Sequence, residues 1–481
     1  MQQFGNAARD LLGLSQAPQL NTNGGTAQYA FFSDDAAGVD PNLQYAIYAT
    51  TEAVVKDITP ARYAELAACD AGEAPATCAA RFAKRFGEKA FRRALDEGEE
   101  QGLLAVHAEG TKQDFNTGIR LMIEALLQAP SFIYRTELGP PGATPDAKGN
   151  VTLSPFEVAS QLSFMLADSI PDAALLAAAE SGALATEQGI AAEVDRMLGL
   201  TPVRQNITQI TLKWFNVAQL FDKAKDPRFF EDLSVADQDQ KVLQTDVFTA
   251  SQRFVDEILW QGSGKIDDLV TSRRIYVNDR LAKLYQLPSA GKGAELGPVE
   301  APEAQLRSGI LTQPAFLWAL SDPATTSIVK RGKFIHDDII CQDPGPPPGK
   351  LLDDPEIQAK LAMLPTEIDK VNYRAVTGRC KGCHVQIDPY ALVLENFDPI
   401  GGFRTEADGK PVDATGQFGD PLPEGPERSR RRADTRGRHG GAHDGSAHAR
   451  SRRPARSRRE RRFDRSNLPR PIARARRRGH P

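Results

Sequence analysis

The chain has 481 residues, of which 41% are hydrophobic and 25% are charged. This length is enough for two to four domains with buried cores. No apolar run approaches the ~18 residues needed to span a bilayer, so we expect no transmembrane segment. The first residues also lack the basic and apolar regions of an export signal.

The net charge of −4 combines two regions of opposite sign. Residues 427–481 contain twenty Arg, no Lys and five acidic residues, so this tail carries +15 and residues 1–426 carry −19. An acidic surface repels phosphate backbones. We therefore expect no nucleic acid to bind the body of the protein.

Five cysteines are present, and the first two flank a short loop rich in Gly, Pro and Ala. This loop would allow Cys69 and Cys78 to meet, which makes them a candidate disulfide. A disulfide here would indicate an oxidising compartment. Two unpaired thiols remain the alternative.

Apolar residues recur at helical spacing through most of the chain. Residues 76–93 and 114–135 each predict an amphipathic helix, and Pro130 ends or bends the second one. Longer helical patterns follow at about 238–260 and 306–320.

Two further helices have recognisable start signals. Ser154, Pro155 and Glu157 predict a capping box, in which side chains satisfy the free N–H groups of the first turn. Thr201 and Pro202 predict a second start of the same kind. Alternating strand patterns are few, so the sequence predicts a mainly α fold.

The amino-acid composition changes after Cys341, where four prolines lie within residues 344–348. This segment cannot form a regular helix, and it predicts an extended, polyproline-type arm. The arm leads to a small segment that contains the remaining two cysteines.

Residues 380–384 read Cys-Lys-Gly-Cys-His and match the pattern C-x-x-C-H. Two thiols one helical turn apart can add across the two vinyl groups of haem, and the adjacent histidine then becomes the proximal iron ligand. The spacing predicts covalent haem c on Cys380 and Cys383, with His384 bound to the iron.

Two other interpretations of this cluster stay open. Zinc needs four ligands, which Cys380 and Cys383 could complete with Cys341 and either His336 or His384. The cluster could also be a reduced C-x-x-C at the surface.

A six-coordinate haem would need a second axial ligand. Met363 and His336 are the nearest candidates in the sequence. The simpler interpretations are core packing for Met363 and an exposed helix position for His336. An open sixth position would favour peroxide or oxygen chemistry, and a filled one would favour electron transfer.

Three carboxylates follow the motif, at Asp388, Glu395 and Asp398. They could form an acid/base pair, but such residues more often cap helices or pair with a nearby Arg such as Arg404. Sequence motifs of nucleotide-binding loops, serine hydrolases and zinc proteases are absent from the chain. The sequence therefore gives no support to those activities, and the catalytic residues remain unknown.

Several stretches resemble a family of multi-module exported proteins from planctomycetes and myxobacteria. The family is built of planctomycete-specific domains with a cytochrome-like C-x-x-C-H module. The stretches that carry the resemblance follow the family's order: "ARDLLGL" (8–14), "FAKRFGEKAFRRAL" (82–95), "FNTGIRLMIEALLQAPSFIYR" (115–135), "LSPFEVASQLSFMLADSIPDAALLAAAESGAL" (153–184), "YVNDRLAKLYQLP" (276–288), "RSGILTQPAFLWALSDPATTSIVKRGKFIHDDIIC" (307–341) and "CKGCHVQIDPYALVLENFDPIGGFR" (380–404).

The resemblance implies a function that is only coarsely defined. The family's C-x-x-C-H falls on Cys380, Cys383 and His384, and its cysteine before a proline run falls on Cys341. The implied function is an exported, haem-bearing redox or electron-transfer protein of unknown substrate and unknown electron partner, located in the periplasm or cell envelope. The alternative is a non-enzymatic envelope scaffold or binding protein, with a structural disulfide or zinc at the cysteine cluster.

The chain departs from the family at both ends. Family members carry an export signal ahead of the first matching stretch, which predicts that the start is truncated. After about residue 421 the composition is dominated by Arg, Gly, Ala, Pro, Ser and His, which suggests that a GC-rich gene is read in a shifted frame. The alternative is an Arg-rich arm that binds nucleic acid. Sequencing the DNA tests the frameshift: if the alternate reading frame does not restore a helical pattern, the frameshift is refuted.

The predicted organisation has six segments. They are an N-terminal helical module (1–67), a helical module with the Cys69/Cys78 loop (68–136), a third helical module (150–290), the cytochrome-like module (305–405), the start of a C-terminal module (406–425) and a disordered Arg-rich tail (426–481).

Overall fold

The computed structural model describes residues 2–20, 41–140, 142–342, 345, 354–378 and 380–415. The predicted Arg-rich tail, the last part of the predicted C-terminal module and most of the proline-rich arm lie outside the described residues.

The fold is mainly α, as the periodicity predicts. The described residues form nineteen α-helices, connected by turns and short 3-10 segments. These are α1 (Gln2–Leu12), α2 (Pro41–Lys56), α3 (Pro60–Ala67), α4 (Pro75–Phe91), α5 (Glu97–Gly110), α6 (Phe115–Gln128), α7 (Pro130–Ile133), α8 (Pro155–Leu166), α9 (Ala173–Glu180), α10 (Glu187–Leu198), α11 (Thr201–Trp214), α12 (Gln240–Asp256), α13 (Ile266–Thr271), α14 (Asp279–Leu284), α15 (Pro314–Ala319), α16 (Ile328–Phe334), α17 (Pro355–Met363), α18 (Glu367–Val376) and α19 (Lys381–Leu392).

Within the described ranges, four short strands form two antiparallel pairs. β1 (Arg274–Val277) pairs with β2 (Gly297–Glu300), with Arg274 opposite Glu300. β3 (Glu406–Ala407) pairs with β4 (Lys410–Pro411). These ribbons are too short to form a layer of their own, so helices make up the core.

Several predicted helix ends are found where the sequence signals place them. The Ser154 side chain accepts a hydrogen bond from the Glu157 N–H, and the Glu157 carboxylate accepts from the Ser154 N–H, which completes the capping box of α8. Pro130 ends the long helix of the 114–135 pattern, because a new short helix, α7, begins there.

Two helix predictions are wrong in detail. Thr201 is not the N-cap of α11: Leu200 occupies that position without a side-chain hydrogen bond, and Thr201 is already helical. The pattern at 306–320 forms only the short helix α15. Leu306 and Gly309 both adopt positive φ, which interrupts a right-handed helix, and Pro314 then begins α15.

Buried apolar residues in the described part of the chain form three larger clusters, two of which include residues of more than one predicted module. One cluster joins the N-terminal helices to α4–α6, so it crosses the boundary at 67/68. A second is confined to residues 156–207. The third runs from Leu212 to Ile400, and it therefore joins half of the predicted 150–290 module to the segment that carries the C-x-x-C-H motif.

None of the helices in the described part of the chain has the length and hydropathy that crossing a membrane requires.

Candidate functional site

The C-x-x-C-H motif lies at the start of α19, directly after a tight turn from α18. The N–H groups of Cys380 and Lys381 both donate to the Thr377 carbonyl, at 2.8 and 2.9 Å. The Thr377 hydroxyl donates back to the Tyr373 carbonyl of α18 at 2.7 Å. The turn therefore places the first turn of α19 beside the last turn of α18.

The two cysteines of the motif lie one helical turn apart. Cys380 is the N-cap residue of α19 and is only 4% exposed, and this burial raises the pKa of its thiol. Cys383 follows in the first turn and is half-buried. Neither cysteine is in a disulfide, so both sulfurs keep the thiol form that a thioether bond would consume.

His384 is oriented by a fully buried carboxylate four residues later on the same helix. The His384 Nδ1 atom lies 2.9 Å from Oδ1 of Asp388, whose side chain has no exposure to solvent. A carboxylate only accepts hydrogen bonds, so Nδ1 is the donor. In the neutral imidazole this leaves Nε2 with its lone pair, which is the form that binds a metal.

Arg374 of α18 completes this arrangement from the neighbouring helix. Its Nε donates to Oδ2 of Asp388 at 2.9 Å, and the Arg374 side chain is only 8% exposed. Its Nη2 is buried and has no hydrogen-bond partner among the described residues. The guanidinium balances the charge of Asp388 and fixes the carboxylate that holds His384.

An adjacent face of α19 packs closely against α16. Gly332 makes this possible, because a Cβ atom there would lie 2.2 Å from the Ile387 carbonyl oxygen. One position earlier, Arg331 is fully buried and donates to the carbonyls of Leu394 and Phe397, both at 3.0 Å. α16 therefore holds both α19 and the loop that follows it.

The two candidate sixth ligands differ in burial from what their simpler interpretations predict. Met363 is not core: it ends α17 and is 78% exposed. His336 is not exposed: it is 2% exposed, in a π-helical turn at Ile335–Ile339, and its Nε2 has no hydrogen-bond partner among the described residues. Its ring lies 6.2 Å from that of Tyr390, six positions beyond His384 on α19.

The three carboxylates considered as acid/base groups have separate partners. Asp388 orients His384. Glu395 accepts from the Thr326 hydroxyl at 2.8 Å and from Arg404 at 3.1 Å, and Asp398 accepts from the N–H groups of Ile400 and Gly402. Burial raises the pKa of both Glu395 and Asp398. The pairing of Glu395 with Arg404 is the arrangement that the sequence favours over catalysis.

Outside the motif, the structure joins Cys69 and Cys78 in a disulfide, with the sulfurs 1.98 Å apart. Among the described residues, the only group of three or more potential metal ligands within 4.8 Å of one another is Cys69, Glu73 and Cys78. The disulfide occupies both sulfurs of that group. Cys341 is exposed and is in no disulfide.

The cysteines and His384 are recognisable from their spacing in the sequence, whereas Arg374 is not. Nothing in the sequence connects α18 to position 388, since the contact arises only when the two helices pack. The spacing of His384 and Asp388 does carry a signal, because residues four apart on a helix face each other.

Comparison with known protein families gives three matches along the chain. Residues 78–137 match the family described as PSD5, a protein of unknown function (DUF1595). Residues 153–287 match PSD4, a protein of unknown function (DUF1592), and residues 307–407 match PSCyt3, a protein of unknown function (DUF1588). These are planctomycete-type modules associated with cytochrome c, so the chain has a multi-module architecture of that type.

No curated protein matches the chain, and no solved structure does.

Proposed function

We propose that this protein is an exported c-type haem-bearing redox protein, with Cys380, Cys383 and His384 as its attachment site. The observation that carries the proposal is the hydrogen bond between His384 Nδ1 and buried Asp388, which leaves Nε2 as the nitrogen available to iron. Haem bound there would supply one-electron transfer.

The donor set fits covalent attachment. Two thiols one turn apart are the arrangement that C-x-x-C-H attachment needs, and neither is consumed by a disulfide. Each thiol would add across one vinyl group of haem: its S–H bond would break, sulfur would bond to one vinyl carbon, and the hydrogen would go to the other carbon as the double bond is lost. The reaction is an addition, so no oxidant is required.

Asp388 and Arg374 act on His384 as positioning residues. The carboxylate accepts the Nδ1 proton and so fixes both the tautomer and the plane of the ring. Arg374 keeps that carboxylate in place through its Nε. A histidine that donates to a carboxylate is a more basic ligand, and this favours the oxidised state of the iron.

The proposed location is the periplasm or cell envelope. The disulfide between Cys69 and Cys78 supports it, since disulfides persist in oxidising compartments. Attachment of haem to C-x-x-C-H also takes place outside the cytoplasmic membrane. The association of the matched families with cytochrome c is a further argument for the same assignment.

A spectrum of exported protein tests the proposal. The chain is produced behind a cleavable signal peptide in a host that matures c-type cytochromes, and is then purified. We expect a Soret band that stays with the polypeptide after acid-acetone extraction. The double variant Cys380→Ser/Cys383→Ser should lose this band, whereas Cys341→Ser, an exposed cysteine outside the motif, should keep it.

A folded, exported protein that is colourless would refute the haem assignment. If that colourless protein contains one zinc per chain, and Cys380→Ser/Cys383→Ser removes it, the cluster is instead the structural zinc site of a scaffold.

A further inference from the structure

A cavity of about 350 Å³ lies beside the segment that follows α19. It is bounded by that segment, by the start of α18, by the β3–β4 ribbon and by the loop around residue 325. Its volume falls at the lower end of the range of small-molecule sites, which is about 300–1,000 Å³.

Two fixed polar groups of opposite hydrogen-bonding character face this cavity. Asp398 uses Oδ1 to accept from the N–H groups of Ile400 and Gly402, at 2.9 and 2.7 Å, which leaves Oδ2 as an acceptor. Arg404 uses Nε and Nη2 to donate to Glu395, which leaves Nη1 as a donor. Neither Oδ2 nor Nη1 has a hydrogen-bond partner among the described residues, neither is a fully buried unpaired atom, and both residues line the cavity.

These two groups are held in place by the protein rather than by a ligand. Gly402 gives the Asp398 carboxylate room, since a Cβ atom there would lie 2.5 Å from Oδ2. Glu395, which anchors Arg404, is only 3% exposed and also accepts from the Thr326 hydroxyl. A ligand would therefore meet a preorganised site, and binding would cost little ordering of side chains.

The rest of the lining identifies the kind of ligand. Charges of both signs stand around the cavity, with Lys370 and Lys410 among the cations and Glu367 and Asp413 among the carboxylates. The lining has four cationic and six acidic side chains, so a strongly charged ligand of either sign would meet repulsion from at least four of them. Phe229 contributes an apolar surface to the wall. The cavity thus favours a neutral ligand that both donates and accepts hydrogen bonds.

We infer that this cavity binds a neutral carbohydrate, of the size of a mono- or disaccharide. One hydroxyl of a vicinal pair donates to Asp398 Oδ2, and its neighbour accepts from Arg404 Nη1. The inference does not depend on the proposed haem, although α18 carries both Lys370 of the cavity and, about 6 Å further along the helix, Arg374 of the His384 site.

Saturation-transfer NMR followed by calorimetric titration tests this inference on the full chain. The probes are D-glucose, D-galactose, D-mannose, cellobiose and maltose, with inorganic phosphate and putrescine as charged comparators. We expect saturable binding of at least one sugar, with a Kd of about 1 mM or tighter, and none of the comparators.

Two variants then assign the binding to the cavity. Asp398→Asn and Arg404→Gln should each weaken the sugar at least tenfold while circular dichroism shows that both variants stay folded. Arg404→Gln also removes a counter-ion of buried Glu395, so its melting temperature should fall, and its affinity is measured well below that temperature. The matched control is Asp146→Asn, since Asp146 also accepts two backbone N–H groups through Oδ1 but lies on an exposed turn far from the lining residues. Asp146→Asn should leave the affinity unchanged.

Three results would overturn the inference. The first is that none of the five sugars binds saturably to the folded protein. The second is that a sugar binds but keeps its affinity in Arg404→Gln, the variant that disturbs no backbone N–H partner. The third is that phosphate or putrescine displaces the sugar with higher affinity, which would make the site one for ions.

Discussion

At the scale of single residues, buried cations fix the segment that surrounds the motif. Arg307 donates to the carbonyls of Thr312 and Gly401, and Arg331 donates to those of Leu394, Phe397 and Asp398. Burial lowers the pKa of both guanidinium groups to about 10, so both remain charged at neutral pH. Backbone carbonyls solvate these charges in place of water, and the hydrogen bonds connect the loop after α19 to α16 and to the segment that precedes α15.

Replacing Asp388 tests the pair that orients His384. Asp388→Asn leaves the charge of buried Arg374 without its counter-ion, so we expect the free energy of unfolding to fall by about 3 kcal/mol in urea titrations. In the haem-loaded protein the same variant should raise the midpoint potential, because an amide accepts the Nδ1 proton more weakly than a carboxylate does.

The control for this prediction is Glu109→Gln, which breaks an exposed ion pair with Lys112. It should lower the free energy of unfolding by less than about 0.5 kcal/mol. Equal losses for the two variants, or an unchanged potential in Asp388→Asn, would contradict the orienting role of Asp388.

A second residue makes the stability depend on pH. The Lys225 ammonium is buried and donates to the carbonyls of Ser321 and Asp322, and burial lowers its pKa to about 7. In the unfolded chain a lysine keeps a pKa near 10.4. Between these values the unfolded state binds more protons, so this residue makes the free energy of unfolding rise with pH.

We therefore expect a smaller rise from about pH 7 to pH 10 in Lys225→Met than in the unmodified protein, measured by urea unfolding at several pH values. The difference in slope is at most about 1.4 kcal/mol per pH unit, the value for one proton. Below pH 7 both states are protonated at this residue and the slopes should converge. Lys241→Met, at an exposed lysine, should show the same pH dependence of the free energy of unfolding as the unmodified protein. If Lys225→Met shows the same dependence too, Lys225 is not the source of the rise in stability with pH.

At the scale of elements, the packing of α16 on α19 determines where the motif lies. The contact depends on Gly332, whereas Gly382 within the motif has no atom within 4 Å of its potential Cβ. The two glycines look alike in the sequence, since both lie inside helical patterns. Only the structure separates a glycine that permits close packing from one that faces open space.

These glycines form a matched pair for mutation. Gly332→Ala should destabilise the protein by about 1–3 kcal/mol, because α16 and α19 would have to move apart. Gly382→Ala should stabilise it by about 0.5–1 kcal/mol, since alanine is the better helix former and meets nothing. Urea unfolding measures both. Equal effects of the two substitutions would show that the α16–α19 contact is looser than described.

Much of the element order could be predicted from local signals. The capping box at Ser154 and Glu157 and the break at Pro130 depend on neighbouring residues alone, so the sequence contains them in full. The environments of Met363 and His336 were predicted wrongly because burial depends on which helix packs where. The π-helical turn at His336 also breaks the 3.6-residue period from which exposure is read.

At the scale of the molecule, hydrophobic cores connect segments that are distant in sequence, and a disulfide closes one short loop beside such a core. The cluster of the N-terminal part includes residues of α1 and of α6. The disulfide between Cys69 and Cys78 closes the loop between α3 and α4, two helices that belong to this cluster. The sequence could place the two cysteines near each other, but it could not show that the modules on either side share one core.

Removing this disulfide should weaken the whole N-terminal cluster. A disulfide that closes a loop of nine residues restricts the unfolded chain and so stabilises the folded protein by about 2–3 kcal/mol. We therefore expect Cys69→Ala/Cys78→Ala to lower the free energy of unfolding, measured in urea, by about 2–3 kcal/mol. Cys341→Ser should lose almost nothing, since Cys341 is exposed and in no disulfide. Alkylation of the unreduced protein that labels Cys69 or Cys78 would show that the bond does not form in solution.

The core that runs from Leu212 to Ile400 has a practical consequence for dissecting the protein. Consider a fragment that begins between residues 287 and 307, in the gap between two matched families. It would lack Phe215 and Phe230, which contact Phe316 and Trp318 respectively. We expect the downstream piece to accumulate in inclusion bodies. The shortest soluble fragment that carries the C-x-x-C-H helix should instead begin ahead of α11.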